Sequence, residues 1–151
     1  MTPAESAGSL HIDCPTGLAG DMLLAGLLDL GVPMDVIETP FAQLGLKDRV
    51  RLDLEETRSG GLRGRRLSVV GLESDPPHRH WAEIRSQLQN APLEPRLQQT
   101  VMAVFTALAE AEATVHGQTP ESVHFHEVGA IDALVDVVGV CAAIHHLAPR
   151  Q

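Results

Sequence analysis

The chain has 151 residues, a hydrophobic fraction of 44% and a formal net charge of -9. This length suits one ordinary domain with its own core and is short for two. An acidic chain is a poor partner for nucleic acid, because phosphate backbones are bound by basic surfaces. The aromatic share is only 3%, so the core must be built mainly from aliphatic side chains, which favours packed helices.

Cysteine use and the start of the chain favour the cytoplasm. Cys14 and Cys141 stand at distant positions and do not make a disulfide framework. The first residues lack the basic and apolar regions of a secretory signal, and no apolar run reaches membrane-spanning length. We therefore expect a cytoplasmic protein without a membrane or nucleic-acid partner.

The first predicted elements are a short strand near residues 9–13, a glycine-containing turn and a helix from Met22 to Leu30, ended by Gly31. At a strand–turn–helix junction, free N–H groups and the positive end of the helix dipole can hold a phosphate or a carboxylate. The candidate anion-binding groups are Thr16, Gly17, Gly20 and Asp21. The alternative is a simple tight turn in which Asp21 caps the helix.

Two carboxylates flank that turn. Asp13 ends the predicted strand and Asp21 starts the predicted helix, so both could converge on a cation or form an acid–base pair. Cys14 beside them is either a thiol activated by the helix terminus or a small, partly buried residue.

The next stretch predicts a second helix and a hairpin. The helix spans Met34 to Leu44, with Pro40 bending or interrupting it. Alternating apolar and polar residues, a glycine-rich turn and a returning apolar run predict a β-hairpin near residues 50–72. Arginines cluster at its turn, where they form either a solvated tip or a local anion-binding group; they are Arg58, Arg63, Arg65 and Arg66.

Two histidine pairs are the candidate metal ligands. His78 and His80 stand where a proline-rich break runs into a predicted helix. His124 and His126 have the same spacing and are followed by Glu127. Imidazole nitrogens suit nickel, zinc, copper or iron, so the two pairs could share one site, whereas either pair alone could simply be solvated.

The C-terminal part predicts a long amphipathic helix from about Glu94 to His116 and a final helix after Gly129. The final helix is apolar on nearly every face, which is typical of a buried helix. Asp132 and Asp136 lie one turn apart on it, so we expect both to face a common ligand.

Together these elements predict an α+β fold. The strand near 9–13 and the hairpin near 50–72 form a small mixed sheet, covered by about five helices, of which the last is buried. We expect residues 1–151 to form a single domain.

Several motifs, in the same order over almost the whole chain, resemble the N-terminal part of the LarC family. These are the nickel insertion proteins of nickel-pincer nucleotide cofactor synthesis. The motifs are Asp13-Cys14-x-x-Gly17-x-x-Gly20-Asp21, His78-Arg79-His80, the stretch 108–117 and the stretch 123–132.

The resemblance implies a CTP-dependent nickel insertase of the lyase class. Such an enzyme places nickel into pyridinium-3,5-bisthiocarboxylate mononucleotide and so serves lactate racemase maturation. In the family, a C-terminal domain binds CTP with manganese or magnesium, and we expect that domain to be absent from this chain. We expect this N-terminal domain to be inactive without that domain or a partner chain, and to form homo-oligomers, since its apolar last helix would lose cover.

The resemblance also suggests roles for the candidate residues. Thr16, Gly17, Gly20 and the N–H groups near Asp21 would face the substrate phosphate. Nickel would be handled by His78, His80, His124, His126 and Glu127. Asp13, Asp21, Asp132 and Asp136 would be acid–base or supporting carboxylates, because metal–carbon bond formation requires a proton to leave the pyridinium ring.

Two other functions stay open. A non-catalytic nickel-binding module would deliver metal and have no interaction with the pyridinium nucleotide. A metal-dependent phosphate-ester hydrolase would use the aspartates around the turn with magnesium or manganese and show no preference for nickel.

Overall fold

A computed structural model describes residues 8–72, 79–125 and 131–149 of the chain. Its helices are α1 (Gly20–Asp29), α2 (Met34–Gln43), α3 (Trp81–Asn90), α4 (Pro95–His116) and α5 (Ile131–Leu147), with one 3-10 turn at Pro120–Ser122. Its strands are β1 (Val50–Ser59), β2 (Leu62–Gly71), β3 (Arg79–His80) and β4 (His124–Phe125). Five α-helices within the described residues confirm the predicted α+β class.

The helix boundaries follow local signals in the sequence. Helix α1 is followed by Gly31, whose φ of 100° is a left-handed conformation that glycine adopts without strain. Helix α4 has Pro95 as its first residue and ends at Gly117, with φ 62°. Helix α2 continues through Pro40, whose ring is buried, so this proline does not interrupt the helix.

The predicted hairpin is confirmed. Strands β1 and β2 pair antiparallel from Val50 opposite Gly71 to Ser59 opposite Leu62. Gly60 and Gly61 connect them, and both have positive φ, as a two-residue turn of type I′ requires. Helix α1 and, to a lesser extent, α5 pack against β2.

Helix α5 is the centre of the core, as its apolar sequence predicted. It packs against α1, α2 and α4. Gly139 lies at its closest approach, where an added Cβ would lie 3.0 Å from a methyl carbon of Leu24 and 3.2 Å from one of Ile37. The absence of a side chain at Gly139 therefore lets three helices meet closely. No helix in the described part of the chain is long and apolar enough to span a membrane.

The predicted strand near residues 9–13 is wrong. Residues 8–19 form neither helix nor strand, and nearly all of their side chains are exposed. A strand requires a hydrogen-bonded neighbour, and the described strands pair only as β1 with β2 and β3 with β4. The single mixed sheet is therefore replaced by two separate antiparallel pairs, of which the second follows no alternating pattern in the sequence.

Candidate functional site

Three carboxylates meet where α5 approaches the start of α1. Asp136 lies on α5 with its side chain against Gly20, the first residue of α1. An added Cβ at Gly20 would overlap the carboxyl group of Asp136, so the close approach depends on glycine. Asp132 lies one turn earlier on α5, and Asp21 follows Gly20. The structure thus brings together three of the four aspartates predicted from the sequence.

The carboxyl group of Asp136 has an unusual electrostatic environment. Burial raises the pKa of Asp136 to about 6, and the negative charges of Asp21 and Asp132 add to the increase. Its Oδ1 atom is buried and has no hydrogen-bond partner within the described residues. The group can therefore take up a proton near neutral pH, or be stabilised by a cation or a donor brought by a ligand.

The turn before α1 differs in part from the prediction. Gly17 has φ 102°, and its N–H donates to the carbonyl of Cys14 at 3.1 Å, so that amide closes the turn. Thr16 is exposed in the same turn, and Asp13 and Cys14 are exposed before it. The structure places Asp13 in this loop. The charges that help to raise the pKa of Asp136 are those of Asp21 and Asp132.

The start of α1 lacks a side-chain cap. Ala19 is the N-cap residue, and Asp21 lies in the first turn of the helix, so Asp21 is not the cap. Its carboxylate accepts a hydrogen bond of 2.8 Å from the N–H of Met22. The start of α1, which is the positive end of the helix dipole, thus lies beside the carboxylate cluster.

The two histidine motifs meet through the short pair of strands β3 and β4. His80 lies opposite His124, 44 residues later in the chain, and their ring centroids are 3.7 Å apart with the rings tilted by 52°. The N–H of His80 donates to Glu83 Oε2 at 3.3 Å where α3 begins. Two imidazoles from distant parts of the sequence therefore lie side by side at one place.

Aromatic packing holds this strand pair against the core. Phe125 is fully buried, and its ring meets Trp81 edge-on with centroids 6.3 Å apart. The N–H of Trp81 donates to the carbonyl of Val123 at 3.1 Å. Because both histidines are next to these buried aromatic residues, the positions of their backbones are fixed by the core.

The other predicted metal ligands, His78, His126 and Glu127, lie outside the described residues. Within residues 8–72, 79–125 and 131–149, no group of three or more His, Cys, Asp or Glu side chains is arranged to hold a metal ion. The described part of the site therefore offers a pair of imidazoles.

The sequence prediction missed a polar cavity of about 480 Å³ between α1 and the hairpin, with Arg65 and Arg66 in its wall. The arginine cluster does not form only a solvated tip. Arg63 lies 3.0 Å from Asp29 in an ion pair, and Arg65 lies 3.3 Å from the same carboxylate, so both tie β2 to α1. The sequence does contain a signal for these ion pairs. Arg65 and Arg63 lie two and four residues before the buried Leu67, so they share its face of the strand.

Imidazole nitrogens are donor groups with which proteins hold zinc, copper, iron or nickel. Comparison with known proteins shows the family to which the chain belongs. The family described as nickel insertion protein matches residues 10–151 of this chain. This match and the relatives described below show that the chain belongs to the nickel insertion protein family, which confirms the resemblance seen in the motifs.

Three relatives illustrate the similarity, and all bear nickel insertion protein in their names. The one from Gloeobacter violaceus is 47% identical over 138 residues, covering 91% of this chain and 33% of the relative. The one from Geobacter metallireducens is 45% identical over 139 residues, covering 91% and 35%. The one from Gloeothece citriformis is 43% identical over 153 residues, covering 93% and 37%.

The chain thus spans about a third of the length of these relatives. No solved structure matches it.

Proposed function

We propose that this chain is the nickel-handling N-terminal domain of an enzyme that inserts nickel into pyridinium-3,5-bisthiocarboxylate mononucleotide. The reaction is a CTP-dependent cyclometallation of the lyase class, and its product is the nickel-pincer cofactor used in lactate racemase maturation. Nickel is a substrate of this reaction. The observation that carries the proposal is the pairing of β3 with β4, which places His80 beside His124.

In this proposal the imidazoles of His80 and His124 receive nickel. Nickel(II) is well served by imidazole nitrogen, and two adjacent rings provide part of a coordination sphere. We assign the remaining protein ligands to His78, His126 and Glu127, because each is within three residues of one of the pair in the sequence. A site completed by these residues can hold nickel until it is transferred.

The carboxylate cluster supplies the proton chemistry. Formation of a nickel–carbon bond on the pyridinium ring releases the proton of the ring carbon, and a base must accept it. Asp136 suits this role because its pKa is raised to about 6 and its Oδ1 has no partner within the described residues. Asp21 and Asp132 keep its proton affinity high by their charge.

The turn before α1 lies beside this cluster. We propose that Thr16, Gly17 and Gly20 border the nucleotide. The N–H of Gly17 already donates a hydrogen bond to the carbonyl of Cys14, so it is not free to bind an anion. Gly20 places the start of α1 directly against Asp136. Asp13, in the exposed loop, contributes at most to the edge of the site.

We place CTP and its manganese or magnesium ion in the part of the longer relatives that this chain does not cover. The chain spans 33% of one relative and 35% of another. The C-terminal domain or a partner chain is therefore the expected partner, and this domain alone is expected to lack turnover. The proposal includes self-association of the chain, and it includes neither a membrane nor nucleic acid.

Calorimetric titration with nickel tests the proposal. The His80→Ala, His124→Ala double variant should bind nickel at least about tenfold more weakly than the wild-type chain, because two nitrogen ligands are lost. The matched control is His116→Ala, which removes an exposed histidine at the end of α4. Unchanged nickel affinity in the double variant, with the control also unchanged, would remove these histidines from the site.

A second candidate is delivery of nickel without chemistry. Delivery needs only metal ligands, which the adjacent imidazoles of His80 and His124 can provide. Delivery predicts nickel binding without any affinity for a pyridinium nucleotide, so a nucleotide titration separates the two functions.

A further inference from the structure

Strand β1 has a free edge, which faces away from β2. The two-residue glycine turn makes Ser59 and Leu62 the hydrogen-bonded pair that closes the hairpin, and every second pair along the ladder is then bonded in the same way. The N–H of Leu72, which donates to the carbonyl of Arg49 at 2.9 Å, continues this alternation. The even-numbered residues of β1 therefore direct their N–H and C=O groups away from β2, toward the free edge.

The free edge of β1 borders open space in the described part of the chain. There the strands pair only as β1 with β2 and β3 with β4. A space of about 410 Å³ separates β1 from α2, and three consecutive strand residues line it, namely Val50, Arg51 and Leu52. Because consecutive side chains point to opposite faces of a sheet, a space that all three line runs along the edge of the strand.

The first half of this edge lacks the features that keep sheet edges from pairing. Its inward-facing side chains are Val50, Leu52 and Leu54, and no proline interrupts them. Edge strands are commonly protected by inward-pointing charges, prolines or bulges. Charged side chains occur on the inward face only further along, at Glu56 and Arg58. The first half of β1 is therefore open to pairing with another strand.

The same segment is complementary in charge to itself. Its outward-facing side chains are basic before Leu52 and acidic after it, in the order Arg49, Arg51, Asp53 and Glu55. When two copies run antiparallel about a twofold axis at Leu52, Arg51 of each lies opposite Asp53 of the other. In the same register Arg49 lies opposite Glu55. Opposite charges thus meet at every outward-facing position, and apolar side chains meet on the inward face.

The neighbouring registers are disfavoured, because like charges directly opposite each other destabilise a sheet. An axis one residue earlier or later places Arg51 or Asp53 opposite the same residue of the second copy. An axis two residues earlier places Arg49 opposite Arg51, and an axis two residues later places Asp53 opposite Glu55. The register centred on Leu52 is therefore the one that the charges favour.

From these observations we infer that the free edge of β1 pairs with the same edge of a second copy of this chain, in the register centred on Leu52. The two hairpins then form one four-stranded antiparallel sheet. Backbone hydrogen bonds join Leu52 to Leu52 and Val50 to Leu54, and the inward-facing leucines of each copy enter the space beside α2 of the other. The inference rests on the self-association included in the proposed function and adds its surface and register. It involves none of the proposed nickel ligands.

Analytical ultracentrifugation of charge-reversed variants tests this pairing. Arg51→Asp places like charges opposite each other at two symmetry-related positions, so its dimer dissociation constant should be at least about tenfold higher than that of the wild-type chain. The Arg51→Asp, Asp53→Arg double variant restores opposite charges and should regain most of the wild-type affinity. Arg58→Asp is the matched control, because it makes the same reversal on the same strand beyond the paired segment.

The variants are expected to fold. The side chains of Arg51 and Asp53 are 61% and 50% exposed, and the loss of an exposed ion pair has little effect on stability. The thermal midpoints of all variants should therefore stay close to that of the wild-type chain.

Amide hydrogen exchange locates the interface independently of any variant. As the protein concentration is raised, the N–H groups of Val50, Leu52 and Leu54 should exchange more slowly, because the pairing gives each of them an acceptor. The N–H of Arg58, on the same edge beyond the paired segment, should exchange at an unchanged rate.

Three results would overturn the inference. They are a wild-type chain that stays monomeric at millimolar concentration, a dimer that Arg51→Asp leaves unchanged or the double variant fails to restore, and concentration-dependent protection that is absent from β1.

The nickel titration keeps this inference distinguishable from the proposed function. If the histidine variant loses nickel but Arg51→Asp keeps the dimer, the inference fails and the nickel site stands. If Arg51→Asp weakens the dimer but the histidine variant keeps nickel, the inference stands and the assignment of the nickel site fails.

Discussion

Ionisation of Asp136 is unfavourable in the folded protein, and the same property suits this residue to accept a proton. Its pKa is raised from 3.8 to about 6 by burial and by the charges of Asp21 and Asp132. The folded protein therefore holds the Asp136 proton more tightly than the unfolded chain. This contribution to stability is complete below the unfolded pKa and is lost as the pH rises through about 6.

Replacement of Asp136 by Asn should therefore stabilise the protein in a pH-dependent way. Near pH 4 the variant and the wild type should have similar free energies of unfolding, because Asp136 is protonated in the folded protein. Near pH 7.5 the variant should be more stable by about 1–2 kcal/mol, allowing for the partial exposure of the side chain. Urea denaturation at both pH values measures this, and an equal difference at both would show that Asp136 does not titrate as described.

The sequence could indicate some of these residues but not their environment. The spacing of Asp132 and Asp136 predicted a shared helix face, because a helical turn dictates it. The arrival of Asp21 beside them depends on the packing of α1 against α5, which no local pattern encodes. Asp13 was grouped with Asp21 on the basis of a strand that does not form.

At the scale of elements, the contact between α1 and α5 depends on two small residues. Gly20 accommodates the carboxyl group of Asp136, and Gly139 accommodates Leu24 and Ile37. Helices approach this closely only where side chains are absent from the contact, because a packed interior has little room to yield.

Gly20→Ala should consequently destabilise the protein by about 1–3 kcal/mol, because the new Cβ overlaps Asp136. Gly26→Ala is the matched control in the same helix. It adds a Cβ with nothing within 4 Å and should stabilise the helix by about 0.5–1 kcal/mol. Thermal or urea unfolding of the two variants provides the comparison.

Removing the opposing side chain should relieve the clash. In the Asp136→Gly background, which also removes the Asp136 Cβ that the new methyl group would overlap, Gly20→Ala should lose most of its cost, because the two positions are coupled through direct contact. Equal stability of Gly20→Ala and Gly26→Ala in the wild-type background would contradict the described packing.

Long elements with strong periodicity were predictable from the sequence. The five helices and the β1–β2 hairpin have local signals of their own, such as Gly31 after α1, Gly117 after α4 and the alternation from Val50. The two-residue strands β3 and β4 have no such signal. Their pairing is imposed by the burial of Trp81 and Phe125, which is a property of the assembled core.

At the scale of the molecule, the fold brings chemistry together from distant parts of the chain. The β3–β4 pair joins two histidine motifs, α1 and α5 join three carboxylates, and α1 with the hairpin encloses the arginine-lined cavity. The name of the family to which the chain belongs implies nickel as the metal. The central claim is that the β3–β4 pair supplies nickel ligands.

X-ray absorption at the nickel edge of the nickel-loaded chain tests that claim directly. The account predicts scattering from at least two imidazole rings around nickel in the wild-type chain, and fewer imidazole rings in the His80→Ala, His124→Ala variant, with the His116→Ala variant unchanged. An oxygen-only coordination shell in the wild type, or imidazole scattering of undiminished strength in the double variant, would contradict it.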